Sequence, residues 1–210
     1  MRCTAFAGDS KEEFFMNSKT KTLVMLAMLE AILILMAFTP IGYLKIGIVE
    51  ITFLTIPVIV GAVTLGPAAG AILGGTFGLT SFIQAFGMST FGIALLAVNP
   101  INTFILCFVP RLLMGYLCGL IFKAMYKKSN SYKLPAFTAS LAGPVLNTVL
   151  FTSTLMLLFG SCDYILGLRG GADVFSFMVA FVGINGLIEA VVCCIVGTAV
   201  SAAILKYMKR

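Results

Sequence analysis

The chain has 210 residues, 60% of them hydrophobic and only 10% charged, with a formal net charge of +6 and neither histidine nor tryptophan. Its mean hydropathy of +1.09 excludes a water-soluble domain, which would leave too much apolar surface in water. The bilayer is the natural solvent for such a chain, and the missing histidine argues against a zinc site.

Residues 1–20 read as a tail ahead of a membrane domain over residues 21–210. Asp9, Glu12 and Glu13, together with the lack of an apolar h-region, exclude a secretory signal peptide. Met16 is an alternative start, because the codons for Lys11-Glu12-Glu13 would resemble a bacterial ribosome-binding site just upstream. N-terminal sequencing that finds Met1 retained would reject that start.

Hydropathy predicts an all-α bundle of six membrane-spanning helices, at about Leu23–Phe38, Ile51–Thr64, Ala68–Phe82, Thr103–Met125, Leu134–Phe159 and Phe175–Leu205. The second and third are short for a bilayer, and the sixth is long enough to tilt. Of the 14 Lys and Arg residues, 11 fall on one side of such a bundle. Arg2, Lys11, Lys19 and Lys21 precede the first span, Lys123, Lys127, Lys128 and Lys133 flank the loop after the fourth, and Lys206, Lys209 and Arg210 follow the sixth. The positive-inside rule then puts both termini in the cytoplasm, so the net charge reflects topology and gives no support to nucleic-acid binding.

The first span carries Ala27-x-x-x-Ala31, a flat strip suited to another helix, with Glu30 between the alanines. The strip has two readings, packing inside the bundle or contact with a partner; Glu30 lies where an acid could reach water or a basic group. Thr39-Pro40 ends this span, and the external loop Ile41–Glu50 sets Lys45 and Glu50 among Ile46, Ile48 and Val49, apolar enough to fold over the bundle mouth. Lys45 reads as either a solvated charge or a ligand contact.

Gly66-Pro67 then breaks the chain, and Gly66, Gly70, Gly74 and Gly78 recur every four residues. That spacing stacks them on one helix face, where another backbone can approach closely. The stretch predicts a tightly packed helical hairpin. Gln84–Asn102 is uncharged yet interrupted by Gly87, Gly92 and Asn99-Pro100, which suits a lid or re-entrant segment.

Within the fourth span, Pro110-Arg111 places a cation in the membrane, where it either binds a ligand, snorkels, or pairs with Glu189 or Glu50. The fifth span repeats the Gly-Pro device at Gly143-Pro144 and follows it with Asn147, an amide that must find partners at mid-membrane. The loop Gly160–Asp173 is the most polar external segment. In the sixth span Asn185 and Glu189 share a face beside Gly183 and Gly186. This amide–carboxylate pair is the strongest site signal in the chain, against the alternative of an interhelical bond that only holds the bundle. Of the six cysteines, Cys107, Cys118, Cys193 and Cys194 lie in spans and read as small apolar residues, and no CxxC occurs.

With those residues in place, the chain resembles the substrate-binding (S) components of energy-coupling factor (ECF) vitamin transporters over roughly Thr20 to Lys206. The resemblance rests on size, span number, the Ala27-x-x-x-Ala31 strip, the run LKIGIVEITFLTIPVIVGAVTLGP into the glycine hairpin, and VPRLLMGYLCGLIFK in the fourth span. It lies closest to the branch with pantothenate and riboflavin carriers; the absence of tryptophan excludes the Trp clamp of thiamin carriers.

The resemblance implies a multi-pass protein of the bacterial cell membrane that captures a vitamin from outside, pantothenate first and riboflavin second. It would then join a transmembrane T subunit and two ATPase subunits and tip over to release its cargo. Ala27 and Ala31 would meet the T subunit, and Glu30 departs from the family's motif. The expected ligand residues are Asn147, Asn185, Glu189, Arg111, Lys45 and Gln84, with no metal, cofactor or catalytic residue. No GxxxxGK[ST] motif is present, so the chain is not expected to hydrolyse ATP by itself. An intramembrane enzyme fits poorly, since Glu30 and Glu189 sit in different spans. A self-sufficient channel would repeat polar residues along one face, whereas here they cluster in the outer half.

Overall fold

The computed structural model describes residues 19–39, 42–46, 49–129, 131–169 and 174–208, with side chains left out at 19, 43–51, 168–169, 174–185 and 208. The tail, the alternative start at Met16, the side chains of Lys45, Glu50 and Asn185, and the polar stretch 170–173 therefore lie outside the described residues.

Helix α1 (Lys19–Ala37) buries Leu33 and Ala37 and leaves Leu23, Val24, Met28, Ile32 and Leu35 exposed. That exterior is as apolar as the interior, which suits lipid. Among the described residues, four helical stretches are long and apolar enough to cross a membrane: Thr20–Ala37, Pro100–Lys128, Lys133–Phe159 and Gly186–Tyr207.

After α1 comes a short antiparallel hairpin, an addition to the all-α expectation. Strands β1 (Tyr43–Ile46) and β2 (Val49–Thr52) pair Tyr43 with Thr52 and Lys45 with Glu50. Phe53 N–H donates to Gly42 O at 2.9 Å and closes the base. Ile51, expected to open the second span, is thus in a strand; the β-branched run Val49, Ile51, Thr52 favours that pairing.

Helix α2 (Thr55–Leu65) is the axis of the bundle. Its residues from Thr55 to Thr64 are buried, Ile56 alone excepted, and it packs on α1, α3 (Pro67–Gln84), α5 (Pro100–Lys128), α6 (Lys133–Phe159) and α8 (Val174–Met208). Pro57 is tolerated because it sits in the first turn, where its missing N–H has no helical partner to lose. At the turn into α3, Gly66 adopts φ 100°, a backbone conformation that side chains disfavour, and Pro67 starts the next helix.

The four-residue glycine spacing is spent against α5. A Cβ on Gly70 would lie 2.3 Å from Gly115 O, one on Gly74 2.2 Å from Arg111 O, and one on Gly78 2.7 Å from Phe108 Cα. At the far end a Cβ on Gly119 would lie 2.5 Å from Pro67 Cα. Each turn along α3 meets a turn back along α5, so two antiparallel backbones run in contact.

The uncharged stretch Gln84–Asn102 holds a helix of its own, α4 (Thr90–Val98), with Ser89 Oγ accepting from Gly92 N–H at 3.3 Å. Helix α5 opens at Pro100, three residues before the expected Thr103, because Asn99 caps it: its Oδ1 accepts from Ile101 N–H at 3.0 Å and Asn102 N–H at 3.2 Å. Asn99-Pro100 reads as an interruption but works as a cap and first helical residue. Leu95 of α4, Leu106, Leu155, Phe159 and Ile165 of α7 (Asp163–Arg169) form a second apolar cluster beyond the main core. The bundle therefore has a hairpin end, covered by β1–β2, α4 and α7, and a basic end with Lys123, Lys127, Lys128, Lys133 and Lys206.

Candidate functional site

The polar residues inside the bundle can be placed by level along its axis. A Cβ on Gly143 would meet Ile59 Cδ1 at 2.5 Å and Cys118 Sγ at 3.4 Å; one on Gly197 would meet Ser140 Oγ at 3.1 Å and Ile59 Cγ2 at 3.7 Å. Ile59, Cys118, Gly143 and Gly197 thus share one level. One turn toward the hairpin end lie Thr55, Met114, Asn147 and Cys193, and about one turn further Arg111, Phe151 and Glu189. Three of the expected ligand residues, Asn147, Arg111 and Glu189, are therefore brought to adjacent levels from three helices.

Arg111 is held by what its own helix leaves open. Pro110 has no N–H, so the carbonyl of Leu106 loses its helical partner. Arg111 Nη1 donates to Leu106 O at 3.3 Å and to Cys107 O at 2.9 Å. The guanidinium carbon lies 4.9 Å from the centroid of Phe77 and 5.2 Å from that of Phe151, a cation against two ring faces. Its Nε is buried with no hydrogen-bond partner among the described residues. Arg111 thus forms no ion pair with Glu189, although the two are close enough to interact electrostatically.

Glu189 is 6% exposed, and Thr55 Oγ1 donates to its Oε1 at 2.6 Å. Among the described residues its hydrogen-bond partner is thus Thr55, at the start of α2. Asn147 is equally enclosed, and its Oδ1 has no hydrogen-bond partner among the described residues. A buried amide oxygen left so costs on the order of 1–3 kcal/mol, and a ligand donor would remove that cost. These neighbouring levels thus hold acceptors at Asn147 and Glu189 and a donor at Arg111, whose guanidinium lies against Phe77 and Phe151.

The other expected residues stand differently. Gln84 is buried, and its Nε2 donates to Ala37 O, which ties the end of α3 to the last turn of α1. Asn185 is on α8 one turn before Glu189, and Lys45 is in β1 opposite Glu50. Thr55, Phe77 and Phe151 escaped the sequence reading. Phe151 had a signal, four residues after Asn147 on the same face; Thr55 and Phe77 had none that set them apart from core residues. On α1, Ala27 and Ala31 are exposed, so their strip is not used for packing within the chain. Glu30 is half-buried within hydrogen-bonding reach of Thr76 on α3, and its Oε1 has no partner among the described residues.

The sequence profile described as "ECF transporter, substrate-specific component" matches residues 21–201, nearly the whole chain. The chain belongs to that family. Two relatives are named as pantothenate transporters. The pantothenic acid transporter PanT of Lactococcus lactis subsp. cremoris (strain MG1363) is 34% identical over 173 residues, 75% of this chain and 79% of its own. The pantothenate transporter PanT of Leuconostoc mesenteroides subsp. mesenteroides (strain ATCC 8293) is 33% identical over 119 residues, 54% of this chain and 56% of its own. Membership fits a multi-pass protein of the cell membrane and a role in transport.

Proposed function

We propose that the chain captures pantothenate for uptake, as the S component of an ECF transporter. The observation that carries the reading is the 34% identity to a pantothenic acid transporter over about three quarters of both chains. The chemistry of the buried cluster supports it. Pantothenate carries a carboxylate at one end and an amide and hydroxyls along the rest. Arg111 neutralises the carboxylate, with Lys45 as a second cation on the hairpin, while Asn147, Asn185, Glu189 and the side-chain oxygen of Gln84 bond the amide and hydroxyls.

In this reading the hairpin end faces outside, the basic end faces the cytoplasm, and all six helices α1, α2, α3, α5, α6 and α8 cross the bilayer. Both termini are then cytoplasmic. The exposed Ala27 and Ala31 strip meets the T subunit, which works with two ATPase subunits. The hairpin, α4 and α7 cover the loaded site.

Isothermal titration of the purified protein tests the assignment. Pantothenate is expected to bind and riboflavin not; Asn185→Ala and Glu189→Ala each lose affinity while still reaching the membrane. Binding of riboflavin alone would replace the substrate, and unchanged pantothenate affinity in both variants would reject the site.

A further inference from the structure

We infer that Thr55 is a positioning residue of the ligand site, holding the Glu189 carboxylate in one orientation for a hydroxyl or amide N–H of the substrate. The inference rests on the pantothenate reading for its ligand, but its geometry is independent of it.

A threonine hydroxyl has one proton to give. Thr55 Oγ1 lies 2.6 Å from Glu189 Oε1 and 3.2 Å from Thr52 O, and the shorter contact takes the proton. One carboxylate oxygen is thereby pinned. A Glu side chain has several rotatable bonds, and pinning one oxygen fixes the plane in which the other accepts. Among the described residues Thr55 is the side chain that bonds this carboxylate, and the other oxygen keeps the capacity to accept from a ligand donor. Arg111 forms no ion pair with Glu189, and its Nη1 donates instead to Leu106 O and Cys107 O.

The place of Thr55 in the chain adds to the argument. It begins α2 and lies three residues after Thr52, the last residue of β2, and α8 packs against that strand. Leu54 N–H donates to Thr52 Oγ1 at 3.4 Å, so the joint between strand and helix is itself tied. The hydroxyl thus connects the acid on α8 to the segment that carries the hairpin cover, two pieces 134 residues apart. A structural tie alone would need no acid at that point; two apolar side chains would join α2 to α8 as well.

The test uses the full chain in detergent, with Thr55→Val, Thr55→Ser, Glu189→Gln and the Thr55→Val/Glu189→Gln double variant, titrated with pantothenate. Thr55→Val is expected to bind about 10-fold more weakly, and Thr55→Ser within about threefold of the parent. The double variant is expected to bind no more weakly than Glu189→Gln alone, because Thr55 acts through Glu189. Full affinity in Thr55→Val, equal losses in Val and Ser, or losses that add in the double variant would each overturn the inference. Should Thr55→Val fail to give a monodisperse protein, Thr55→Cys, of similar size with a weaker donor, takes its place.

A second arm needs no ligand. Amide hydrogen exchange over residues 52–57 is expected to quicken in Thr55→Val and not in Thr55→Ser, and equal exchange in parent and Thr55→Val would overturn the inference. If the parent fails to bind pantothenate while this arm behaves as expected, the substrate assignment falls and the Thr55–Glu189 link stands.

Discussion

Two neighbouring glycines of α3 should respond in opposite directions to the same substitution. Gly74 and Gly75 are adjacent and buried, yet a Cβ on Gly74 would lie 2.2 Å from Arg111 O, whereas one on Gly75 would lie 3.6 Å from Phe108 Cε2, an ordinary contact. At Gly74 the shortfall from ordinary contact at 3.4 Å is about 1.2 Å, and the obstacle is backbone on both sides. Gly74→Ala must therefore push α3 and α5 apart, at a cost of about 1–3 kcal/mol. Gly75→Ala meets the Phe108 ring edge and a Leu112 methyl at ordinary distances and gains helix propensity worth up to about 1 kcal/mol. The displaced carbonyl belongs to Arg111, so Gly74→Ala should also weaken pantothenate binding, while Gly75→Ala leaves it intact. Thermal unfolding in detergent and isothermal titration on both variants and the parent give the ranking. Gly74→Ala melting at or above Gly75→Ala, with full affinity, would refute the contact between the two backbones.

Arg111→Gln should lower affinity for pantothenate more than for its neutral alcohol analogue pantothenol, since only the former carries the charge that Arg111 matches; equal losses in competition titrations would make the residue structural. For topology, Gly87→Cys at the hairpin end, where no atom lies within 4 Å of an added Cβ, should react with an impermeant maleimide in intact cells. Ser131→Cys, exposed at the basic end, should react only after the cells are opened, and the reverse pattern would invert the orientation.

How much of this could be read beforehand depends on whether the signal is local. The four-residue glycine spacing is local, and it predicted close packing; which helix it packs on needed the structure, because nothing in Gly70 or Gly74 names Gly115 or Arg111. Asn99-Pro100 misled, since the same pair serves as a break in one context and as a cap with a first helical proline in another. Ile51 and Thr52 were assigned to a helix because an apolar run does not distinguish a buried helix from a strand. Thr55 stayed hidden for a different reason. Its partner is 134 residues away, and a threonine before an apolar run looks like any helix start. The polar residues Asn147, Arg111 and Glu189 stood out because a membrane interior penalises them unless something uses them.

The arrangement of charge inside the cluster bears on how a ligand could enter at all. Arg111 and Glu189 lie at neighbouring levels of an apolar interior, and a salt bridge would be the obvious resting state. Removing one partner from such a buried pair costs about 3–5 kcal/mol, and a ligand inserting between them would face a similar cost. Here each charge is held by neutral groups instead: Arg111 by two carbonyls and the faces of Phe77 and Phe151, Glu189 by the hydroxyl of Thr55. Such holders partly stabilise the charges and leave the Nε of Arg111 with capacity to donate, while a carboxylate can accept more than the one bond from Thr55. An anionic ligand bearing hydroxyls can then add its bonds without first breaking an ion pair. Riboflavin has no carboxylate and would leave the guanidinium no better matched than before. On the proposed site, that unspent capacity would be the source of affinity for a ligand with the groups of pantothenate.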